Sequence, residues 1–466
     1  MSYNQFRFSR FSHSYKKNGV VACFHSLKMR PLFLDEDTYN TIVCLLKDNK
    51  SYAEKDILEL DNGVDVLKIL DLLVENRVIS NCPNRDDDVI SGFVESIPGP
   101  QIKIAYFILA ETCNLACKYC FERAPEHLPT KEMMSRATAH KSLDFFERML
   151  GLYPSEHEEK DIIFYGGEPL LNYDVLVDAL TEIRHRKNAS PLWKNTRLSM
   201  VTNGTLLTKE RLIELTRLDL GIGISIDGPE LINDANRFFH NKQGAFKQTK
   251  KAIDLCKSEG IGFSLSVTLS ELAVKNYDSV VDFLLKLEPS SIGFNILLGG
   301  GSNPPYSEYN KDAAAFLIDA FKQFRKRGLY EDRMMRKVKA FSSSQVYPFD
   351  CGASGGNQVI FSPSGQVGVC HGYLESKKDF PTTIQNFDFD PSKDPIFQKW
   401  AQRTPLRMPE CQTCEALGIC GGGCPMNAER NLGSIFCLDE RFCLHAKETL
   451  RWLVWDLYEN AARPSS

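Results

Sequence analysis

The sequence lacks the features that would direct it to a membrane, a secretion route or a nucleic acid. No uninterrupted apolar run approaches the ~18 residues that a membrane-spanning helix needs. The N-terminus, MSYNQFRFSRFSHSYKK, has no apolar core of the kind found in a secretion signal. The formal net charge is -4, and no basic stripe predicts a nucleic-acid partner. We therefore expect a cytoplasmic protein that binds neither membranes nor nucleic acids.

The composition and length are those of a multidomain globular protein. Hydrophobic residues make up 43% of the 466 residues and charged residues 25%, which argues against global disorder. A chain of this length exceeds one ordinary core, so we expect two or three domains.

Cysteine is abundant where a cytoplasmic protein would use little of it. A large chain without a secretion signal points to metal binding or catalysis rather than disulfides. Of the 15 cysteines, three lie within eight residues and eight lie between Cys351 and Cys443. The four scattered cysteines are expected to be small buried hydrophobic residues; they are Cys23, Cys44, Cys82 and Cys256.

Residues 1–97 are predicted to form a separate small domain. The KKNG turn between apolar stretches indicates a hairpin. LDEDTYNTIVCLLKD and VDVLKILDLLVENRVI have helical spacing, and SYAEKDILEL between them is a short helix or a connection. NCPNRDDDVISGFVESIPGPQ is predicted to be a linker. Such a domain, without a catalytic cluster, suits a docking module; a purely stabilising extension is the alternative.

From residue 98 to 310, stretches typical of strands and helices alternate. The six predicted strands are KIAYFILA, DIIFYGG, TRLSMVTNG, LGIGISIDG, GFSLSVTLS and SSIGFNILL. This repetition predicts an α/β fold with a parallel sheet, open or closed into a barrel, and functional residues at the carboxyl ends of its strands. A helical bridge over 311–348, a Gly- and Cys-rich domain over 349–450 and a C-terminal helix and tail over 451–466 follow.

The first cysteine motif, CxxxCxxC, contains Cys113, Cys117 and Cys120 and follows a predicted strand. Thiolates suit zinc, copper or iron–sulfur clusters, and structural zinc sites normally have four protein ligands. Three thiolates on a [4Fe–4S] cluster leave one iron free for an external ligand. A zinc site completed by a distant residue is the alternative.

The stretch CNLACKYCF resembles the signature of the radical S-adenosylmethionine (SAM) superfamily, and GGEP, one βα unit later, matches a second element of that family. The resemblance implies a partial (β/α)6 TIM-type barrel and a catalytic cluster on Cys113, Cys117 and Cys120. In the family, SAM chelates the unique iron and is cleaved to a 5′-deoxyadenosyl radical that abstracts hydrogen from the substrate.

The resemblance also implies a set of SAM-binding residues. The glycines and Glu168 of GGEP would receive the methionine ammonium, and Arg237 would pair with the carboxylate. Asp227 is as readily explained as a turn residue. Asn233 and Asp234 depart from the His-Asp that the family shows more often. The implied contacts are Tyr119, Gly166, Gly167, Glu168, Thr202, Asn203, Ser225, Asp227, Arg237, Ser266 and Asn295.

The C-terminal cysteines resemble the seven-cysteine pattern of the SPASM extension, which holds two auxiliary [4Fe–4S] clusters. The resemblance assigns Cys351, Cys370 and Cys424 to auxiliary cluster I. It assigns Cys411, Cys414, Cys420 and Cys443 to auxiliary cluster II. Cys437 is an eighth cysteine that the seven-cysteine pattern does not include. It is a spare thiol, the true last ligand of cluster II, or a fourth ligand of cluster I. Cluster I is otherwise left with an open iron that a substrate thiolate could occupy, and a zinc-ribbon array is the structural alternative.

Taken together, the motifs resemble those of radical SAM/SPASM enzymes that modify peptides. The N-terminal domain resembles the winged-helix-like element that binds leader peptides by adding a strand to a sheet edge. We expect a precursor-peptide maturase that installs thioether or carbon–carbon crosslinks, with three [4Fe–4S] clusters and SAM. A flavodoxin or ferredoxin would donate electrons, and an auxiliary cluster would accept the surplus electron. The alternatives are a sulfatase-type or quinone-cofactor maturase and a non-catalytic iron–sulfur electron-transfer protein.

Overall fold

A computed structural model describes residues 6–47, 63–80, 85–120, 132–155, 157–298 and 305–461. The segment SYAEKDILEL and Cys82 lie outside these residues. In chain order the strands are β1 (Arg7–Phe8), β2 (Ser12–Lys17), β3 (Val20–His25), β4 (Leu32–Asp35), β5 (Ile79–Ser80), β6 (Ile104–Ala110), β7 (Lys160–Gly166), β8 (Thr196–Thr202), β9 (Leu220–Ser225), β10 (Phe263–Leu269), β11 (Ser291–Ile296), β12 (Tyr330–Glu331), β13 (Gln358–Phe361), β14 (Gln366–Gly368) and β15 (Thr382–Thr383).

The helices surround the sheets and cover the central one. In chain order they are α1 (Glu36–Lys47), α2 (Gly63–Glu75), α3 (Arg85–Glu95), α4 (Arg136–Leu152), α5 (Tyr173–Ala189), α6 (Lys209–Arg217), α7 (Glu230–Asp234), α8 (Phe246–Ser258), α9 (Glu271–Lys275), α10 (Tyr277–Leu287), α11 (Tyr309–Lys326), α12 (Asp332–Ser343), α13 (Pro395–Ala401), α14 (Leu417–Cys420), α15 (Pro425–Leu432) and α16 (Glu440–Ala461). Within the described ranges, none of these helices combines the length and the apolar character that crossing a bilayer requires.

The central sheet has the strand order β12-β11-β10-β9-β8-β7-β6-β13-β14-β15. Every neighbouring pair from β12 to β13 is parallel, whereas β14 and β15 are added antiparallel. Strands β6 to β11 are the six strands that the sequence predicts, and helices alternate with them along the chain. Because parallel strands need long crossovers, this alternation is what the chain requires to build the sheet. The predicted α/β class is confirmed.

The sheet extends beyond the predicted barrel segment at both ends. Strand β13, from the Cys-rich region, pairs in parallel with β6 in a register that places Gln358 opposite Ile104. Strand β12, from the predicted helical bridge, pairs with β11. Helix α16 runs without a break through the predicted boundary at residue 450. The predicted boundary at residue 450 therefore falls inside a helix.

The N-terminal region contains the predicted hairpin. Strands β2 and β3 pair antiparallel with Lys17 opposite Val20, and β4 adds to the other side of β3. The turn between β2 and β3 consists of Asn18 and Gly19. Their φ angles are 50° and 75°, the left-handed conformations that a two-residue hairpin turn requires. Helices α1 and α2 lie where helical spacing predicts them.

The prediction of a linker after α2 is wrong over residues 85–95, which form helix α3. Three acidic residues occupy its first turn, where they interact favourably with the helix dipole. Asp86 also accepts hydrogen bonds from the Ser9 hydroxyl at 2.7 Å and the Arg10 amide at 2.9 Å. Ile90 is buried in a cluster with Phe11. These contacts come from residues distant in sequence, so the local composition does not reveal them.

The N-terminal sheet packs on the Cys-rich region. Phe24 belongs to the same buried cluster as Ile419 and Leu450. A side chain at Gly418 would place its Cβ 2.4 Å from the Ser26 carbonyl oxygen, so the two regions touch through their backbones. The hairpin is therefore part of the folded body and lies next to the C-terminal cysteines.

Candidate active site

The loop that carries Cys113, Cys117 and Cys120 follows strand β6 at the carboxyl edge of the sheet. Its backbone pairs with residues 236–240, since Ala116 donates to the Phe238 carbonyl at 2.7 Å and Lys118 donates to the Asn236 carbonyl at 3.0 Å. His240 Nε2 lies 3.0 Å from the Cys113 carbonyl oxygen. The three cysteines are partly exposed. This pairing segment fixes the loop, and the sequence analysis did not identify it.

The two glycines after β7 hold the start of the same loop. The Gly167 amide donates to the Ala110 carbonyl at 2.8 Å, and the Glu168 amide donates to the Thr112 carbonyl at 3.0 Å. A Cβ on Gly167 would lie 2.2 Å from the Thr112 carbonyl oxygen, and Gly166 has a φ of +128°. Only glycine allows the strand end to approach the cysteine loop so closely.

Glu168 is buried and joins the ends of β7 and β8. Its carboxylate accepts hydrogen bonds from the Thr202 hydroxyl at 2.7 Å, the Asn203 amide at 2.8 Å and the Leu170 amide at 3.0 Å. Burial raises the pKa of Glu168, and these three donors act in the opposite direction. The Asn203 side-chain nitrogen lies 3.8 Å from Cys113 Sγ. Glu168 thus orients groups that face the cysteine loop.

Asp227, Arg237 and Tyr119 form a buried charged cluster at the end of β9. Asp227 Oδ1 accepts from Arg237 Nη2 and from the Thr268 amide, both at 3.0 Å, and Asp227 Oδ2 accepts from the Tyr119 hydroxyl. The Arg237 guanidinium lies 5.4 Å from the centre of the Tyr119 ring. These contacts give Asp227 a role beyond that of a turn residue.

The Arg237 side chain is largely buried, with 9% of its surface exposed. Burial lowers the pKa of Arg237, but Asp227 and Tyr119 outweigh burial and hold the pKa above its ordinary value. Among the described residues, the Arg237 Nε has no hydrogen-bond partner. A buried donor of this kind fits an anionic group of a ligand, such as a carboxylate.

The remaining predicted contacts lie on neighbouring strands. Ser225 on β9 stands opposite Ser266 on β10, and Asn295 on β11 donates to the Ser266 hydroxyl at 3.1 Å. The structure therefore brings the predicted SAM-binding residues to the carboxyl ends of consecutive strands, beside the cysteine loop.

In the C-terminal region, Cys351, Cys370 and Cys424 come together. Burial raises the pKa of all three thiols, and Cys351 and Cys424 both raise the pKa of Cys370 further. Mutual repulsion among thiolates is what a bound cation would relieve, so this donor set fits a thiolate-bound metal group.

The other four predicted ligands form a second group. Burial raises the pKa of Cys411 to about 12 and of Cys414 to about 11, and in both cases Cys420 adds to the increase. Burial also raises the pKa of Cys443, and Cys420, Cys411 and Cys414 raise it further. Cys437 is placed differently: its thiol donates to the Leu432 carbonyl at 3.7 Å.

The described residues contain no group of three or more His, Cys, Asp or Glu arranged to hold a single metal ion. Buried arginines line the two cysteine groups instead. Arg403 donates to the Gly422 carbonyl at 2.6 Å and to the Cys437 carbonyl at 3.2 Å, and Arg441 pairs with Asp439 at 2.7 Å. These arginines were not predicted, because nothing in a cysteine motif specifies which distant cation lies beside it.

Fold and site together define an α/β protein with a thiol loop at the carboxyl edge of a parallel sheet and a Cys-rich C-terminal extension. Comparison with known proteins makes the assignment specific. Residues 107–287 match the family described as the Radical SAM superfamily. The radical SAM cyclopropyl synthase TigE of Paramaledivibacter caminithermalis is 25% identical over 96% of this chain and 95% of its own length. The serine-type anaerobic sulfatase-maturating enzyme of Klebsiella aerogenes is 24% identical over 71% of this chain and 83% of its own.

Solved structures agree on the fold. The structure described as anSMEcpe with bound AdoMet has a TM-score of 0.64 at 19% identity and covers 79% of this chain and 97% of its own. SuiB of Streptococcus suis bound to S-adenosylmethionine has a TM-score of 0.52 at 13% identity and covers 93% of this chain and 99% of its own. Residues 107–287 are therefore a radical SAM domain, and the chain is an enzyme, as the sequence predicts. A [4Fe–4S] cluster and SAM are the cofactors of this superfamily.

Proposed function

We propose that this enzyme modifies a ribosomally made precursor peptide and installs a thioether or carbon–carbon crosslink. One observation carries the proposal: the similarity to TigE extends over 96% of the chain and so includes the N-terminal region, whereas the similarity to the sulfatase-maturating enzyme covers 71%. TigE is a cyclopropyl synthase, and closing a cyclopropyl ring forms a carbon–carbon bond.

Cys113, Cys117 and Cys120 would hold the [4Fe–4S] cluster that acts on SAM. Bound there, the cofactors supply a one-electron cleavage of SAM that yields a 5′-deoxyadenosyl radical for hydrogen abstraction. The protein contributes the geometry: Gly167 lets β7 approach the loop, and Arg237, oriented by Asp227, offers its free Nε to the SAM carboxylate. A flavodoxin or ferredoxin would deliver the electron.

Three clusters are proposed in all, with Cys351, Cys370 and Cys424 holding one and Cys411, Cys414, Cys420 and Cys443 holding another. The support is the grouping of these seven thiols into two mutually interacting sets. For each crosslink, the peptide loses one hydrogen atom to the SAM-derived radical. The second hydrogen would leave as a proton and an electron, and a cluster held by the C-terminal cysteines would supply the electron acceptor.

The N-terminal region is the proposed leader-binding site. Its sheet has the order β2-β3-β4, so among the described strands β2 and β4 each pair on one side. An extended peptide can add to such an edge through main-chain hydrogen bonds. The close approach of Ser26, at the end of β3, to Gly418 supports a leader site in the neighbourhood of the C-terminal cysteines.

The function is tested by anaerobic incubation with SAM, dithionite and a short peptide encoded beside the gene. We expect 5′-deoxyadenosine and a peptide that is lighter by two hydrogens per crosslink. The Cys117→Ala variant should form neither product. The matched control is Cys44→Ala, which should form both: Cys44 is exposed, contrary to the prediction that it is buried, and belongs to none of the three thiol groups. Absence of 5′-deoxyadenosine with the unmodified enzyme would refute the enzyme assignment. Thiols that all remain alkylatable in a modified peptide would exclude a thioether.

A sulfatase-type maturase is the alternative, and the dependence on the leader separates the two. A peptide maturase should bind a precursor shortened to its core segment at least tenfold more weakly than the full precursor. Equal binding of both peptides, together with oxidation of a serine or cysteine in a sulfatase-derived peptide, would favour the alternative.

A further inference from the structure

We propose that Lys337 is the buried cation of the four-cysteine group, and that its ammonium donates hydrogen bonds to the cluster held there and raises that cluster's reduction potential. The inference rests on the proposed function, in which Cys411, Cys414, Cys420 and Cys443 bind a [4Fe–4S] cluster. It concerns a residue that belongs to neither cysteine motif.

The Lys337 side chain is completely buried on helix α12. Among the described residues, its Nζ has no hydrogen-bond partner. The nearest carboxylate oxygen, Asp350 Oδ1, is 3.9 Å away, which is too far for a hydrogen bond. Asp350 pairs with Lys337 only at this distance, and its Oδ1 is itself buried without a hydrogen-bond partner. Burying an ammonium whose N–H groups lack acceptors is costly, so these groups indicate a further acceptor at this place.

The Lys337 ammonium lies beside the loop that carries Cys420. The Asp350 amide donates to the Gly421 carbonyl at 2.8 Å, and a Cβ on Gly421 would lie 2.6 Å from that amide nitrogen. The residue that faces Lys337 therefore contacts the residue that follows Cys420. Consistent with this, Ala340 and Phe341 of the same helix lie in one buried cluster with Ile419 and Cys420.

Two arginines in this region are already engaged. Arg403 donates to three backbone carbonyls, those of Ile435, Gly422 and Cys437. Arg333 donates to the Phe294 carbonyl at 2.9 Å and lies 3.6 Å from Asp350 Oδ2. Among the described cations that act on Cys420, Lys337 is the one whose N–H groups have no acceptor.

A cation in this position changes the energetics of electron transfer. Four thiolates outweigh the positive charge of the iron–sulfur core, so the cluster is anionic and becomes more so when it is reduced. A nearby buried charge interacts strongly because the local dielectric is low, and hydrogen bonds to sulfur act in the same direction. Lys337 therefore stabilises the reduced form, as an electron acceptor in the proposed reaction requires.

The test compares Lys337→Met with Lys339→Met in the reconstituted full-length chain. Lys339 lies on the same helix but is exposed, so it is a matched control. Both variants are made in a Cys113→Ala, Cys117→Ala, Cys120→Ala background, which leaves the two auxiliary clusters. Potentiometric titration followed by electron paramagnetic resonance should show that Lys337→Met lowers one of the two midpoint potentials. We expect a tenfold or larger change in the reduced-to-oxidised ratio, or about 59 mV for a one-electron couple, and no change for Lys339→Met.

Intact clusters with unchanged potentials in Lys337→Met would overturn the inference. If that variant does not assemble, the unmodified chain is grown with ¹⁵N-lysine, and pulsed resonance of the reduced clusters should detect coupling to a lysine nitrogen. Absence of that coupling would also overturn it. Failure of the unmodified chain to take up iron and sulfide at the four cysteines would instead refute the cluster assignment itself.

Discussion

The loop around Cys113 and the segment from Cys351 to Cys443 both gather thiols, but different contacts hold them in place. The loop is eight residues long and is fixed by backbone hydrogen bonds to neighbouring strand ends and to residues 236–240. The C-terminal thiols come from residues far apart in sequence and are joined by buried arginines and close backbone approaches. The loop cysteines are partly exposed, as are most of the C-terminal cysteines. The loop differs in facing buried polar groups with a free donor on Arg237.

This difference corresponds to different tasks. A cluster that must bind SAM needs an open side and polar groups aimed at it, and the loop provides both. Clusters that accept electrons need nearby charges to set their potentials, and buried arginines and Lys337 lie close to the C-terminal groups. The same ligand atom therefore serves two kinds of chemistry according to its surroundings.

The largest effect is expected from removing one thiol, either from the loop around Cys113 or from the C-terminal segment. Cys117→Ala should reduce 5′-deoxyadenosine formation to background, because the cluster that cleaves SAM loses a ligand. Cys420→Ala should keep SAM cleavage within a few fold but abolish the modified peptide. Anaerobic assays that quantify both products check this, and equal loss of SAM cleavage in the two variants would remove the proposed division of tasks.

Glycine substitutions test the same division through the backbone. Gly167→Ala would force a Cβ to within 2.2 Å of the Thr112 carbonyl, so SAM cleavage should fall at least tenfold. Gly422 has a φ of +82° and its Cβ would lie 3.0 Å from Arg403 Nη1, so Gly422→Ala should impair auxiliary cluster assembly and spare SAM cleavage. Gly99→Ala, at a position with open space around the Cβ, is the control. SAM turnover and iron content distinguish these outcomes.

The buried ion pair at the carboxyl edge of the central sheet should have a smaller but measurable effect. Asp227→Asn removes the charge that pairs with Arg237, and losing one partner of a buried pair costs about 3–5 kcal/mol. We expect a lower free energy of unfolding and a higher KM for SAM. Asp161→Asn, which breaks the largely exposed pair with Arg197, should cost about 0–1 kcal/mol. Equal destabilisation by the two variants would argue against a special role for Asp227.

The smallest effect is expected at Cys437, the eighth C-terminal cysteine. Its thiol donates to a carbonyl oxygen, and we expect Cys437→Ala to retain all iron and normal potentials. Cys443→Ala, the matched variant at the other late cysteine, should lose one auxiliary cluster. Loss of iron in Cys437→Ala instead would make Cys437 a ligand.

The sequence was sufficient to predict the six central strands, because each is a short apolar run that ends in polar or glycine residues. It was also sufficient for the KKNG hairpin, since Asn18 and Gly19 adopt left-handed conformations readily. It failed where distant contacts decide the outcome. Helix α3 was predicted as a linker because its packing partners, such as Phe11, are far away in sequence.

The same limit applies to the site. Motifs predicted which thiols and polar residues belong together, because their spacing follows the strands. The segment containing Phe238 and His240 was missed, since it acts through backbone hydrogen bonds that any residues could form. Lys337 was missed because a buried lysine cannot be distinguished by sequence from the exposed Lys339 two residues later.

The central claim is that three separate thiol groups each hold a [4Fe–4S] cluster, one for radical formation and two for electron transfer. Mössbauer spectroscopy and iron analysis of the reconstituted chain test it most directly. The account predicts iron and spectra equivalent to three [4Fe–4S] clusters, and loss of one third of the iron in the Cys113→Ala, Cys117→Ala, Cys120→Ala variant. A single cluster in the unmodified chain, or zinc bound at the C-terminal cysteines, would contradict it.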